Sequence, residues 1–402
     1  MLKTFTAAPH RVMFFGGAVQ SIAVMLWWTF ELTTRYGIIA QPVSWAVEPR
    51  AAHVFLMIYS LLPFFMFGFL MTTFPRWMAG KEIPARRYVT AFGLMILGVI
   101  VFYAGMIFSM AILVAAVVSV LSGWGVALYA LIRVLLDTRP GDKRHPIVLV
   151  IALALGWCGL ASYLIWLITA EYGFLNFSIQ SGLWFFLLPL FASVAHRMIP
   201  FFTSNALSQP DVPRPFWSWW TVLAGSVVHG GLSFAGQTQW LWLCDAPIAA
   251  SALYLSYLWG FRRSLSNPLL AVLHVGFAWM GIAMLFFTVQ SWFFFMSGEF
   301  RWALAPLHAL TIGCYTTLMI GMGTRVTLGH SGLPFTIGTS LKLMFLGMQL
   351  VALSRVMADV LPRQNAYLWY ILSALGWLAC FSPWVWRYLP AFLRPRADGQ
   401  PG

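Results

Sequence analysis

Histidines are the residues of this sequence with the greatest capacity for chemistry. Seven of the eight lie within or at the ends of long apolar segments: His10, His53, His196, His229, His274, His308 and His330. Imidazole is the commonest ligand of metals and a frequent axial ligand of haem iron. An ionisable side chain within a membrane indicates a functional site by default, and the alternative is a neutral histidine bonded to a helix carbonyl. Seven together favour ligation.

The distances of these histidines from the ends of their apolar segments predict two layers, at about 1.5 Å per helical residue. The outer layer contains His53, His229 and His308. The inner layer contains His10, His196, His274 and His330. Two metal sites, or one haem with a separate metal, would fit this pattern.

Two further residues bear on these layers. Met57 lies one turn after His53, where its thioether would suit Cu(I), although packing is the commoner role of methionine. The remaining histidine, His145, lies in the charged stretch GDKRHP and is expected to be solvated.

Apolar helices must position these histidines. Hydrophobic residues make up 60% of the 402 residues, charged residues 9%, and the mean hydropathy is +0.80, which is more apolar than a soluble domain. The net charge of +13 could indicate nucleic-acid binding, but the charges lie in short loops between apolar segments, which excludes it. We therefore predict an all-α, polytopic membrane protein, with residues 1–402 forming a single transmembrane domain without a soluble domain. Twelve spans are predicted at residues 12–30, 52–73, 88–104, 110–135, 147–169, 177–199, 216–236, 240–261, 268–290, 302–322, 336–358 and 365–386.

Positive charges predict the orientation of the spans. Of the 24 Lys and Arg residues, nineteen fall on one face and five on the other. The five are Arg35, Arg50, Arg301, Arg355 and Arg363. Because Lys and Arg favour cytoplasmic loops, both termini are predicted to lie inside.

Spans two, six and ten each end near an arginine, namely Arg76, Arg197 and Arg325. This period of four helices hints at a threefold internal repeat. Chance explains it equally well, because arginine is the expected residue at an inner helix end.

Several classes of protein are excluded. The histidine patterns of haem–copper oxidases and of bis-histidine cytochromes b do not occur, and the loop after span two lacks the Gly-x-x-x-Asp-Arg pattern of sugar transporters. The four cysteines are scattered singly, so a thiolate cluster is not expected. Asp245 and Glu171 lie too near the outer face for a carboxylate relay, so proton pumping is not expected.

The tenth span is the most specific part of the sequence. Residues 308–332, HALTIGCYTTLMIGMGTRVTLGHSG, resemble the signature of the NnrS family, which comprises bacterial membrane proteins linked to nitric oxide and denitrification and reported to carry haem and copper. Three shorter stretches also resemble that family: residues 68–77 (GFLMTTFPRW), 197–203 (RMIPFFT) and 273–279 (LHVGFAW).

The resemblance carries over to five residues: His53, His274, His308, Arg325 and His330. It departs after His53, where the family often has a second histidine followed by Glu-Met and this chain has VFLM. It implies a protein of the bacterial inner membrane that contains haem b and copper. Its partners would be the lipid bilayer, nitric oxide and a membrane electron donor.

The first hypothesis is therefore a haem- and copper-binding membrane protein that binds nitric oxide, with its reduction as an extension, and protects against nitrosative stress. The haem-binding candidates are His10, His196, His274, His308 and His330, with Arg197 and Arg325 as partners of the propionates. The metal-binding candidates are His53, His229, His308 and Met57. Two alternatives stay open: a transporter of metal, haem or a small solute, and a haem protein of electron transfer or sensing without turnover.

Overall fold

The computed structural model describes residues 2–138, 141–208, 211–362, 364 and 366–399. All regular secondary structure in these ranges is helical, as the sequence predicts. Arg139 and Arg363, two of the arginines that entered the orientation argument, lie outside the described residues.

Long helices follow one another along the described chain. They are α1 (Pro9–Arg35), α2 (Pro49–Trp77), α3 (Ala85–Phe108), α4 (Met110–Asp137), α5 (Arg144–Thr169), α6 (Tyr172–Leu207), α7 (Phe216–Phe234), α8 (Trp242–Leu258), α9 (Pro268–Ser297), α10 (residues 305–331), α11 (Thr339–Val360) and α12 (Ala366–Leu393). Short helical turns occur at Leu2–Phe5, Thr238–Trp240 and Phe261–Ser264.

Nine of these helices, within the described ranges, are long and apolar enough to cross a membrane, namely all except α7, α8 and α10. Large apolar side chains such as Ile100, Leu136 and Trp386 are exposed on them, as expected for helices that face lipid rather than water. The chain is therefore a helical membrane protein. Helices α7, α8 and α10 lie where the sequence predicts spans seven, eight and ten; the count of twelve spans and the inward termini stay predictions.

Local sequence determines where several helices begin. Helices α1, α2 and α9 start at Pro9, Pro49 and Pro268, because proline in the first turn lacks only an N–H that would have no helical partner. Asn267 also caps α9, since its side-chain oxygen accepts hydrogen bonds from two N–H groups of the first turn. Ser109 alone separates α3 from α4, so these two helices form a tight hairpin.

Helices α2, α6 and α10 each contain a π-helical segment, at Phe55–Leu61, Ser181–Leu187 and Ala309–Thr316. Such segments are rare and often lie at functional sites. Pro63 and Pro189 follow the first two segments by two residues. A proline within an α-helix removes a hydrogen bond and collides with the preceding turn, and the wider π turn accommodates it.

The π segments support a threefold repeat of four helices, because they occur in the second, sixth and tenth helices. Arg197 and Arg325 each lie sixteen residues after the first residue of their π segment, whereas Arg76 lies twenty-one residues after Phe55. In each repeat the first helix packs on the second: α1 on α2, α5 on α6 and α9 on α10.

The chain forms two compact units. The first unit comprises residues 1–187, 326–334 and 385–402, and the second comprises residues 188–325 and 335–384. The first unit contains His10, His53, His145 and His330. The second unit contains His196, His229, His274 and His308.

Candidate functional site

Two histidines from distant parts of the sequence meet in the first unit. His10 lies in the first turn of α1 and is buried, and His330 lies in the last turn of α10 and is half-buried. Their ring centroids are 4.5 Å apart, with 39° between the ring planes. The structure thus brings together two of the predicted cofactor ligands.

Thr72 of α2 fixes the orientation of His10. Its hydroxyl donates to the carbonyl of Gly68 at 2.8 Å and lies 3.5 Å from Nδ1 of His10. The backbone N–H of His10 also donates to it, at 3.2 Å. Because the one proton of the hydroxyl is already engaged, Nδ1 is the donor and Nε2 keeps its lone pair, which is the form of imidazole that binds a metal.

Arg11, beside His10, joins α1 to the end of the chain. Its side chain is buried, and Nη1 donates to three carbonyls at the C-terminal end of α12: those of Ala391, Phe392 and Arg394, at 3.4, 3.4 and 2.8 Å. A guanidinium at this position complements the negative end of the helix dipole. Arg11 therefore holds the start of α1, and with it His10, against α12.

The histidine pair has a positive environment. Arg11, Arg76 and Arg396 all act electrostatically on His330, and of these Arg396 is paired with Asp398 at 2.6 Å. An excess of guanidinium groups favours an anionic partner, such as the carboxylate of a cofactor. Guanidinium groups are thus present near a predicted haem ligand, and they belong to residues other than the predicted propionate partners Arg197 and Arg325.

The ring geometry limits how the pair can hold a metal. Imidazoles on opposite faces of one haem iron have centroids about 6 Å apart, because each metal–nitrogen bond is about 2.0 Å long. Neighbouring positions on one ion place them about 4.5 to 5 Å apart. The observed separation therefore fits neighbouring positions on one ion, so the pair would supply a haem iron with no more than one imidazole.

A second cluster lies between α7 and α8 in the second unit. The ligand atoms of His229, Cys244 and Asp245 all lie within 4.8 Å of one another, and all three side chains are buried. Nδ1 of His229 is 2.6 Å from Oδ1 of Asp245, and Sγ of Cys244 is 3.6 Å from the same oxygen. Among the described residues, no other group of three or more His, Cys, Asp or Glu has this geometry.

Close packing of α7 on α8 permits these contacts. A Cβ atom at Gly225, one turn before His229, would lie 2.6 Å from Cγ1 of Ile248 and 3.3 Å from the carbonyl oxygen of Cys244. Asp245 lies in the first turn of α8, where the helix dipole stabilises a carboxylate. Gly225 on α7 thus permits the close approach of the two helices, and Asp245 on α8 supplies the carboxylate of the buried polar site between them.

The sequence predicted His229 as a metal ligand but missed its neighbours. Asp245 was considered only as a proton relay, and Cys244 was set aside as a scattered cysteine. The signal that could have found them is the short connection between α7 and α8. A hairpin brings a histidine near the end of one helix close to the first turn of the next.

Two other predicted ligands have their orientation fixed by hydrogen bonds. The hydroxyl of Thr203 donates to the carbonyl of Ile199 at 2.8 Å. Since its proton is used there, its oxygen accepts from Nε2 of His274, 2.9 Å away, and Nδ1 of His274 keeps the lone pair. Nδ1 of His308 lies 2.9 Å from the carbonyl oxygen of Leu304 and donates to it. Nε2 of His308 then carries the lone pair, and ligating histidines are commonly held by such a bond to a carbonyl.

His196 has the contacts of a packed histidine. Nε2 lies 3.4 Å from the carbonyl oxygen of Pro215, and the ring stacks on Trp219 with centroids 5.7 Å apart. Phe216 and Trp259 also contact it. These neighbours favour the packing alternative for this residue.

In the first unit, His53 stacks on Trp28 with ring centroids 4.1 Å apart. Met57 follows it within the first π segment and is half-buried. The other two metal candidates, His229 and His308, belong to the second unit.

The predicted propionate partners lie in the second unit, where both are half-buried. The guanidinium of Arg325 lies over the ring of Phe202 at 4.0 Å, and Phe335 is 5.8 Å away, a cation–π arrangement. Arg197 lies on α6, next to His196 in the sequence.

His145 requires a correction, because it is 2% exposed rather than solvated. It lies in the first turn of α5, which begins at Arg144. Asp142 and Lys143 precede the helix and Arg144 is its first residue, whereas the ring of His145 packs inside the first unit.

Comparison with known proteins gives the family. A sequence model of the NnrS protein matches residues 4–396, nearly the whole chain. The chain belongs to the NnrS family. The match includes all seven membrane-associated histidines as well as Cys244 and Asp245, so both histidine sites lie within the NnrS region. No curated protein matches the chain.

Proposed function

We propose that this NnrS-family chain is a haem- and copper-binding protein of the bacterial inner membrane that acts in the response to nitric oxide. The observation that carries the proposal is the family match over residues 4–396. The two sites described above supply the imidazole, thiol and carboxylate donors that such a protein needs.

The surroundings of His10 and His330 fit one axial imidazole of a haem. Nε2 of His10 is available, and Arg11 and Arg76 provide positive charge for propionates. The ring separation supports a role as iron ligand for no more than one of the two histidines. His308 and His274 also each retain an unprotonated ring nitrogen and are the ligand candidates of the second unit.

A haem held by these residues would supply an iron centre that binds nitric oxide. The protein itself would orient the imidazole through Thr72, balance the negative charge of the propionates and exclude water with its apolar helices. Lipid-facing helices also admit a small neutral molecule directly from the bilayer. Reduction of nitric oxide would further require an electron donor in the membrane, which we propose as a partner.

The proposal is tested on purified full-length protein by an absorption spectrum together with metal analysis. We expect a haem b spectrum that shifts when nitric oxide is added to the reduced protein, and copper in addition to iron. We also expect cells without the protein to grow more slowly under nitrosative stress. Metal-replete protein without haem absorbance would overturn the proposal and favour a transporter, and a haem spectrum indifferent to nitric oxide would leave an electron-transfer role.

A further inference from the structure

The cluster of His229, Cys244 and Asp245 has properties that hydrogen bonding does not fully explain. Oδ1 of Asp245 contacts both polar neighbours: it lies 2.6 Å from Nδ1 of His229 and 3.6 Å from Sγ of Cys244. Oδ2 of the same carboxylate is buried without a hydrogen-bond partner, and the side chain is 0% exposed. Leaving a buried carboxylate oxygen unsatisfied costs free energy, so this oxygen is an available donor.

We propose that His229, Cys244 and Asp245 form a buried binding site for a transition-metal ion of the zinc or copper class. An imidazole nitrogen, a thiolate and a carboxylate together suit these ions, whereas magnesium and calcium prefer oxygen ligands alone. The site is argued from the geometry of α7 and α8, and with copper bound it would supply part of the metal binding in the proposed function.

The distances are compatible with one ion. Around a tetrahedral ion with bonds of about 2.0 to 2.3 Å, ligand atoms lie roughly 3.3 to 3.8 Å apart. In this cluster the shortest distance between ligand atoms is 2.6 Å, and all of them lie within 4.8 Å of one another. Side-chain shifts of about 1 Å would therefore bring the three ligand atoms to these tetrahedral distances.

Binding exchanges a proton for the metal. Sγ of Cys244 lies 3.1 Å from the carbonyl oxygen of Leu241, where a thiol S–H would donate to that oxygen. The thiolate is the metal ligand, and coordination therefore forms a metal–sulfur bond, breaks the S–H bond and releases the proton to solvent. Affinity should rise with pH for this reason.

Three protein ligands leave one coordination position free, which distinguishes reactive zinc and copper sites from closed structural ones. The rings of Phe287 and His229 form an edge-to-face pair with centroids 5.2 Å apart, so one wall of the site is apolar. A small exogenous ligand or a water molecule would complete the coordination.

The test uses full-length protein freed of metal with a chelator and then titrated separately with Zn²⁺, Cu²⁺ and Co²⁺. Since other histidines can also bind metal, the decisive readout is the thiolate-to-metal charge-transfer band of the Co²⁺ and Cu²⁺ forms, which requires a cysteine ligand. We expect this band in the parent protein and in Cys314→Ser, which removes a buried cysteine outside the cluster. We expect its loss in Cys244→Ser.

Asp245→Asn keeps the shape of the carboxylate and should weaken binding by about 10- to 100-fold. Because a variant can fail through misfolding, the melting temperatures of the metal-free proteins are compared first. Titration of the parent protein with Mg²⁺ is the negative control. A band that persists in Cys244→Ser, or a parent protein without any band, would reduce the three residues to a hydrogen-bonded pair with a neighbouring thiol. The haem spectrum, recorded on the same samples, should be unchanged in Asp245→Asn, which separates this result from the outcome for the proposed function.

Discussion

Thr203 accepts a hydrogen bond from Nε2 of His274 at 2.9 Å while its own proton goes to the carbonyl of Ile199. One hydroxyl of α6 thereby selects the tautomer of a histidine on α9. Replacing Thr203 with alanine leaves a buried N–H without a partner, which should cost about 1 to 3 kcal/mol of unfolding free energy. The melting temperature in detergent should fall in Thr203→Ala and stay near the parent value in Thr203→Ser. Equal losses in both variants would show that packing, not the hydroxyl, is responsible.

His274 and His308 lie in stretches that resemble the family signature, and each retains an unprotonated ring nitrogen. We expect His274→Ala and His308→Ala each to lose haem or copper by at least several-fold, measured per chain on purified protein. The control is His145→Gln, because His145 is about as buried as His274 but is not a predicted ligand. Full metal and haem content in both alanine variants would make these histidines packing residues.

The contact of α7 with α8 depends on Gly225. In Gly225→Val the new side chain meets Ile248 and the backbone of α8, which should cost about 1 to 3 kcal/mol and separate His229 from Asp245. We expect lower thermal stability together with loss of the thiolate band, and partial recovery of both in the double variant with Ile248→Ala.

Gly231 provides the control for that change. It lies on the same helix, and a Cβ atom there meets nothing within 4 Å. Gly231→Ala should therefore keep the band and gain about 0.5 to 1 kcal/mol from helix propensity. A Gly225→Val protein with a normal band would contradict the role assigned to close helix packing.

The orientation of the spans predicts where reporter proteins become active. A reporter that works only in the periplasm should be silent when fused after Gly402, which lies outside the described residues, and active when inserted between Gln41 and Ser44 of the exposed α1–α2 connection. The reason is the asymmetry of Lys and Arg between the two faces. Reporter activity at the first position, or silence at the second, would reverse the assignment of the two histidine layers to the outer and inner sides of the membrane.

Lowering the pH should remove the stabilisation that the Asp142–Arg144 pair gives to the loop before α5. Hydrogen bonds from Arg144, at 2.9 Å through Nε and through Nη2, lower the pKa of Asp142 from 3.8 to about 2. Because the folded-state pKa lies below the ordinary value, the stabilisation is present above about pH 4 and is lost as the pH falls towards 2.

The pair is exposed, so its contribution is at most about 1 kcal/mol. Asp142→Asn should melt slightly below the parent at pH 7, and the difference should shrink between pH 4 and pH 2. A difference that is independent of pH would exclude the carboxylate charge as its cause.

The positions of the helices were predictable because a span in lipid must satisfy its backbone hydrogen bonds within itself. Apolar segments therefore become helices, and α5 and α12 begin within a few residues of the predicted spans five and twelve. Neighbours were not predictable, since nothing in the sequence indicates that the start of α1 meets the end of α10 at His10 and His330.

The composition of individual segments also misled in particular places. The charged stretch around His145 predicted solvation, because the start of the helix at Arg144 could not be separated from the loop. The residues of Phe55–Leu61 are mostly apolar, like those of an α-helical span, so their composition did not identify a π segment. Cys244 and Asp245 were weighed one at a time, whereas their chemistry depends on His229 of the preceding helix.

The π segments determine which way later side chains point. A π segment accommodates one more residue than the α-helix it replaces, so everything after it is turned by about 100° around the helix axis relative to an uninterrupted α-helix. In α10 this includes Arg325 and His330, which follow the segment Ala309–Thr316. Deleting a single apolar residue there would leave both histidines in the chain while turning His330 away from His10, so the presence of the two residues would not by itself guarantee an intact pair.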